Sequence, residues 1–136
     1  MRRMLLLDTH VLVWLDEGGQ WLGKNALRTI NKALANDQLG VATVSFWEVA
    51  MLVEKKRITM QLEVTEWRLE LLQAGLLEVP LEGAVSIRAA QLPLFHGDPA
   101  DRIIVATAIE AGATLMTADE KILSWPHLTR KIDARL

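Results

Sequence analysis

The chain has 136 residues, 51% of them hydrophobic and 24% charged, with no cysteine and a formal net charge of −2. That length suits one domain with a substantial core, and the lack of cysteine excludes disulfides and thiolate metal sites. The acidic balance argues against a large passive phosphate-binding surface. It leaves open an enzyme that meets phosphate through bound cations, because a cation reverses the local charge.

No apolar run reaches the roughly 18 residues of a membrane span. Arg2 and Arg3 before a leucine run resemble the start of a signal peptide, but Asp8 and His10 interrupt it and no small-residue cleavage site follows. The expected location is the cytoplasm.

Leu5-Leu6-Leu7 lacks alternation, the pattern of a strand buried on both faces of a parallel sheet. It ends in Asp8, and ligand sites in such sheets lie beyond the carboxyl ends of the strands. Val11, Leu12, Trp14 and Leu15 fit a short helix ended by Gly18-Gly19. Residues 22–35 read as a second helix with a basic stripe at Lys24, Arg28 and Lys32, and 38–42 as a strand. Thr43-Val44-Ser45 leads into a helix with Phe46, Val49, Ala50 and Val53 on one face, ending in Lys55-Lys56-Arg57.

Val64, Trp67, Leu71 and Ala74 mark another helix, stopped by Gly75. A strand is expected over 76–79 and a helix over 82–92, with Val85, Ala89 and Leu92 on one side. After the loop Leu94-Phe95-His96-Gly97, Asp98 suits an N-cap and Pro99 the first position of a helix. That helix is apolar almost all round, which predicts deep burial, and Gly112 ends it. Thr114-Leu115-Met116-Thr117 is a strand followed by Ala118-Asp119; a short helix and a strand near 129–133 complete the chain. The alternation predicts one α/β domain over 1–136, a three-layer α/β/α fold with a central, mostly parallel sheet.

Asp8, Glu48, Asp101 and Asp119 stand at strand ends or helix starts, and each has a plain local role. Asp8 and Asp119 can cap helices. Ser45-Phe46-Trp47-Glu48 matches a capping box with Ser45 at N-cap and Glu48 at N3. Asp101 favours the dipole of a helix that Asp98 caps. Taken together, they would meet at one pole of a parallel sheet, repel each other and take up protons. A hard divalent cation removes that conflict, and an all-oxygen set suits Mg²⁺ or Mn²⁺. Such an ion activates water for phosphodiester hydrolysis without a side-chain nucleophile. Asp101 is preferred as a ligand because Asp98 already caps; Asp98 falls to a supporting place.

Four stretches carry a family resemblance: Leu5-Leu6-Leu7-Asp8-Thr9-His10, Val44-Ser45-Phe46-Trp47-Glu48-Val49-Ala50, the run from Asp98-Pro99-Ala100-Asp101-Arg102 to Ala108, and Leu115-Met116-Thr117-Ala118-Asp119. Their order and spacing resemble PIN-domain proteins, more narrowly the VapC-like ribonuclease toxins of toxin–antitoxin pairs. The resemblance implies catalytic, metal-holding Asp8, Glu48, Asp101 and Asp119, with Thr117 as a supporting hydroxyl; Thr9, Asp98 and Arg102 are expected, apart from the resemblance, as supporting residues. It further implies a PIN-like parallel sheet of about five strands. The implied activity is Mg²⁺-dependent endonucleolytic RNA cleavage leaving a 5′-phosphate. The implied partners are a second copy, as a homodimer, and a small antitoxin that covers an apolar groove. Ala100 stands where relatives often carry an aromatic residue.

Other readings compete. A non-catalytic module of the same fold would act through its partner surfaces. Paired histidines would make a metal-independent ribonuclease, but His10, His96 and His127 are scattered; His10 and His96 could still lie near the acidic edge. Arg102 could bind phosphate or tie down a carboxylate. Lys55, Lys56 and Arg57 could grip RNA backbone or simply be solvated. Trp14, Trp47 and Trp67 suit core or interface, and Trp47, off its helix's apolar stripe, suits an interface. A receiver-type phosphoacceptor wants a lysine where Asp119 stands, and a haloacid-dehalogenase-type phosphatase wants an aspartate where His10 stands.

Overall fold

A computed structural model describes residues 3–136, so Arg2 of the N-terminal basic pair lies outside the described residues. Among the described residues the chain runs β1 (Leu5–Leu7), α1 (Thr9–Asp16), α2 (Lys24–Ala35), β2 (Leu39–Ala42), α3 (Thr43–Glu54), α4 (Val64–Gln73), β3 (Leu77–Val79), α5 (Gly83–Ala90), α6 (Pro99–Ala111), β4 (Thr114–Thr117), α7 (Glu120–Leu123) and β5 (Lys131–Asp133). The strands form one sheet in the order β3-β2-β1-β4-β5. Each pairing is parallel. The sheet is thus wholly parallel and α/β, as the sequence pattern predicts.

β1 is central, and its leucines alternate between two cores. Leu5 and Leu7 join Leu12, Ile30, Val41, Val49 and Trp67 on one face. Leu6 joins Leu115, Ile104, Val105, Ala108 and Ile122 on the other. Each fully buried leucine contributes roughly 2 kcal/mol. α5 forms an outer flank, with Val85 and Ala89 packed on Ala106 of α6.

α6 follows its local signals. Asp98 accepts the Asp101 N–H at 3.1 Å, Pro99 opens the helix, and Gly112 at φ 62° ends it. Burial covers Ala100 and Ile104 through Ala108. α2 starts later than expected, at Lys24, because Gly23 lies against the last residues of the chain. Its N–H donates to the Ala134 carbonyl at 2.9 Å. A side chain there would meet the Leu136 backbone at 2.0 Å.

The capping box at Ser45 does not form. β2 runs into α3 with no loop, Ala42 is the N-cap, and no side chain caps the helix. Ser45 is already inside the first turn and Glu48 lies one turn further on. The Ser45–Glu48 spacing marks one helix face, where residues three apart are neighbours.

Candidate active site

Strand order reverses between β1 and β4, and their carboxyl ends open the crevice where such sheets bind ligands. Asp8 leaves β1 at that point and is 2% exposed. It remains in the ladder, its N–H donating to Met116 O at 3.0 Å. Its Oδ1 accepts the Thr9 N–H at 2.8 Å, and its Oδ2 accepts the Thr117 hydroxyl at 2.7 Å. Thr117 in turn accepts the Asp119 N–H at 3.0 Å. One hydroxyl at the end of β4 therefore fixes Asp8 and the backbone that carries Asp119.

α3 brings Glu48 to the same place. Thr9 Oγ1 donates to Glu48 Oε1 at 2.5 Å and lies 2.8 Å from Ser45 Oγ. A hydroxyl has one proton and a carboxylate only accepts, so the Ser45 hydroxyl donates to Thr9. Asp8, Glu48 and Asp101 line one cavity of about 320 Å³, together with Trp14, Leu52 and others. Asp119 caps α7 through the Lys121 N–H. It lies beside Asp101, where His96, Asp101 and Asp119 offer atoms within 4.8 Å of one another. The structure thus brings all four expected acids to one edge, with Asp101 belonging to both groups.

Electrostatics at this edge are unrelieved. Burial pushes the Glu48 carboxyl up to about 6; the Thr9 hydrogen bond opposes this, and Asp8, Asp101 and Asp98 add to it. Burial likewise pushes Asp101 up to about 6, opposed by His96 and reinforced by Asp8, Asp98 and Asp119. Among the ion pairs of the described residues, none joins these acids to lysine or arginine; only His10 and His96 approach, at 3.7 Å from Asp8 and 2.8 Å from Asp101. A crowded carboxylate set in which burial and mutual repulsion raise the proton affinity of Glu48 and Asp101 fits a hard divalent ion.

Arg102 forms no ion pair with a carboxylate among the described residues. Its donors reach three backbone carbonyls, those of His96, Ala89 and Phe95, at 3.0, 2.8 and 3.0 Å. Sequence reasoning also left Ser45 as a cap and His96 near the edge without a partner. His10 accepts the Ala118 N–H at Nε2, 2.9 Å away. The Ser45–Thr9 and His10–Ala118 contacts join residues 36 and 108 apart in the chain, and the sequence carried no local signal for them. Trp67 is core at 4% exposure, Trp14 is half-buried, and Trp47 is 56% exposed.

This fold and acidic edge define a PIN domain, and the profile of the PIN domain family matches residues 5–127. The chain belongs to that family. It is a homologue of Ribonuclease VapC22 of Mycobacterium tuberculosis, 40% identical over 124 residues that cover 90% of this chain and 92% of that protein. Two solved structures share the fold. One is VapBC2 from Rickettsia felis bound to a promoter DNA fragment, with TM-score 0.70, 17% identity, and 96% and 99% of the two chains covered. The other is DNA-bound VapBC from Salmonella typhimurium, with TM-score 0.68, 14% identity, and 97% and 98% covered.

Proposed function

We propose that this chain is a metal-dependent endoribonuclease, the toxin of a toxin–antitoxin pair, acting in the cytoplasm as one PIN-like domain over residues 1–136. The convergence of Asp8, Glu48 and Asp101 on one cavity, with Asp119 beside them, carries this reading. The ribonuclease name of VapC22 supports the substrate class. The toxin–antitoxin complex from Klebsiella pneumoniae, 19% identical with TM-score 0.63, shares the fold and suits an antitoxin partner. The exposed Trp47 suits a face of the homodimer or of that complex.

Asp8, Glu48, Asp101 and Asp119 would hold Mg²⁺, or Mn²⁺ in its place. A divalent cation there supplies an activated water and neutralises charge at the phosphate and the leaving oxygen. Thr117 and the Thr9 N–H hold Asp8 fixed, and the Thr9 hydroxyl holds Glu48, so the acids need little rearrangement to bind. In the hydrolysis, water oxygen bonds to phosphorus and the 3′ oxygen leaves with a proton, giving a 3′-hydroxyl and a 5′-phosphate.

The test is RNA cleavage by the purified chain. Cleavage should require Mg²⁺ or Mn²⁺, stop with EDTA, and be lost in Asp8→Asn. Expression should arrest growth in the wild type and not in Asp8→Asn. Cleavage that survives both chelation and Asp8→Asn overturns the reading.

A further inference from the structure

The loop between α5 and α6 passes through a left-handed residue at Leu94, φ 55°, whose side chain is 94% exposed. A non-glycine residue in that conformation is kept only where its surroundings over-determine it. Side chains from outside the loop supply that constraint. Trp125 Nε1 donates to Pro93 O at 2.9 Å. Arg102 donates Nε to His96 O and Nη2 to Phe95 O, each at 3.0 Å, and Nη1 to Ala89 O at 2.8 Å. Its guanidinium also lies over the Phe95 ring, 5.8 Å from the centroid. Phe95 is anchored in turn, edge-on to Trp125 at 5.1 Å.

This scaffold sets one side chain against the acidic edge. His96, whose carbonyl Arg102 grips, places Nε2 2.8 Å from Asp101 Oδ2. Asp101 and Arg102 are adjacent on α6, where successive side chains diverge by about 100°. One helical turn therefore presents a carboxylate to the cavity and a fork to the loop behind it. The guanidinium spreads its donors in a planar, fixed fork that reaches all three carbonyls from one position, whereas a lysine ammonium is a compact point charge on a flexible stem.

We infer that Arg102 and His96 form a strap that positions the Asp101 carboxylate and so sets the cation affinity of the site. The inference rests on the proposed metal site. In it His96 is a positioning residue: its ring holds one Asp101 oxygen and leaves the other free for the ion. Arg102 acts at one remove, by holding His96. Partners that orient a ligating side chain in this way are typically worth 10–100-fold in metal affinity.

The experiment is Mn²⁺ binding by calorimetry on the full chain, with pulsed electron paramagnetic resonance of the bound ion. His96→Leu should weaken Mn²⁺ binding on the order of tenfold or more, and Arg102→Met and Arg102→Lys alike should weaken it by a similar factor. The double variant His96→Leu/Arg102→Met should be no weaker than the worse single, because the two act in series. His96→Gln, which keeps a donor at similar reach, should retain most of the affinity; a simple packing role would not give that rescue. The spectrum should show no directly bound imidazole nitrogen.

His96→Leu leaves all three Arg102 bonds in place, so it decides the matter if Arg102→Met does not fold. Wild-type and His96→Leu affinities within a factor of about two overturn the strap alone. Multiplying losses in the double variant, or a nitrogen ligated to Mn²⁺, overturn it as well. A wild-type chain that binds no Mn²⁺ overturns the metal site and the strap with it.

Discussion

Near the end of β5, Asp133 shares Arg135 with Glu120; at the start of α6, Asp101 pairs with His96 and, among the described residues, with no lysine or arginine. Arg135 donates to Asp133 through its backbone N–H and Nε, both at 2.9 Å, and through Nη2 at 2.8 Å. It also reaches Glu120 at 2.5 Å. These hydrogen bonds hold the Asp133 carboxyl below its ordinary range. Asp101 moves the other way, to about 6, because it is part-buried and its neighbours are anionic. The same side-chain type thus has opposite proton affinities at two places along one sheet edge. The chain supplies its own cation at the exposed cluster. At the crevice, among the described residues, no lysine or arginine pairs with the acids, and only His10 and His96 approach them.

The largest test of this contrast removes one acid from the crevice. Asp8→Asn should lower RNA cleavage by at least about a hundredfold, the scale of losing one electrostatic stabiliser. Retained cleavage would make Asp8 a cap and nothing more. The second test adds the missing charge. At a hundred times its Kd, Mn²⁺ should stabilise the fold by about 2.7 kcal/mol. A thermal unfolding midpoint that does not rise with Mn²⁺ would remove the contrast.

A third test uses protons instead of metal. Glu48 and Asp101 titrate at about 6 in the folded chain against ordinary values of 4.5 and 3.8. Between about pH 4 and 6 the folded chain therefore binds more protons than the unfolded one, and stability falls as pH rises through that window. The loss is complete above it, about 1 kcal/mol for each group once solvent screening is allowed for. In EDTA, Asp101→Asn should flatten the pH dependence of the unfolding midpoint between pH 4 and 7. An unchanged slope would show that neither burial nor the neighbouring acids raise the proton affinity of Asp101. The smallest effect belongs to the exposed cluster. Arg135→Ala should leave RNA cleavage unchanged and move the midpoint by no more than about 2 °C, since surface ion pairs contribute little.

Local signals were readable before folding wherever a residue acts on its own neighbours. Asp98, Pro99 and Gly112 bound α6 as expected because capping is decided within a few residues. The Leu5-Leu6-Leu7 run read as a doubly buried strand, and it is one. The Ser45–Glu48 pair shows the limit of such reading: a cap and a helix face share one spacing, and only the start of α3 at Thr43 separates them. Arg102 shows another, since a guanidinium beside an acid looked like an anion or carboxylate contact until its three carbonyls were in view.

The sequence alone determined the elements, the parallel α/β class and the four acidic candidates, because periodicity and caps are properties of neighbouring residues. The tertiary structure decided how those acids meet. Thr117 reaches Asp8 across 109 residues, and Thr9 reaches Ser45 and Glu48 across 36 and 39. The first follows from strand order, which lays β4 beside β1; the others follow from β2 lying on the other side of β1 and running straight into α3. Strand order rests on pairings between strands distant in sequence, such as Leu7 with Met116, which no pattern of neighbouring residues specifies.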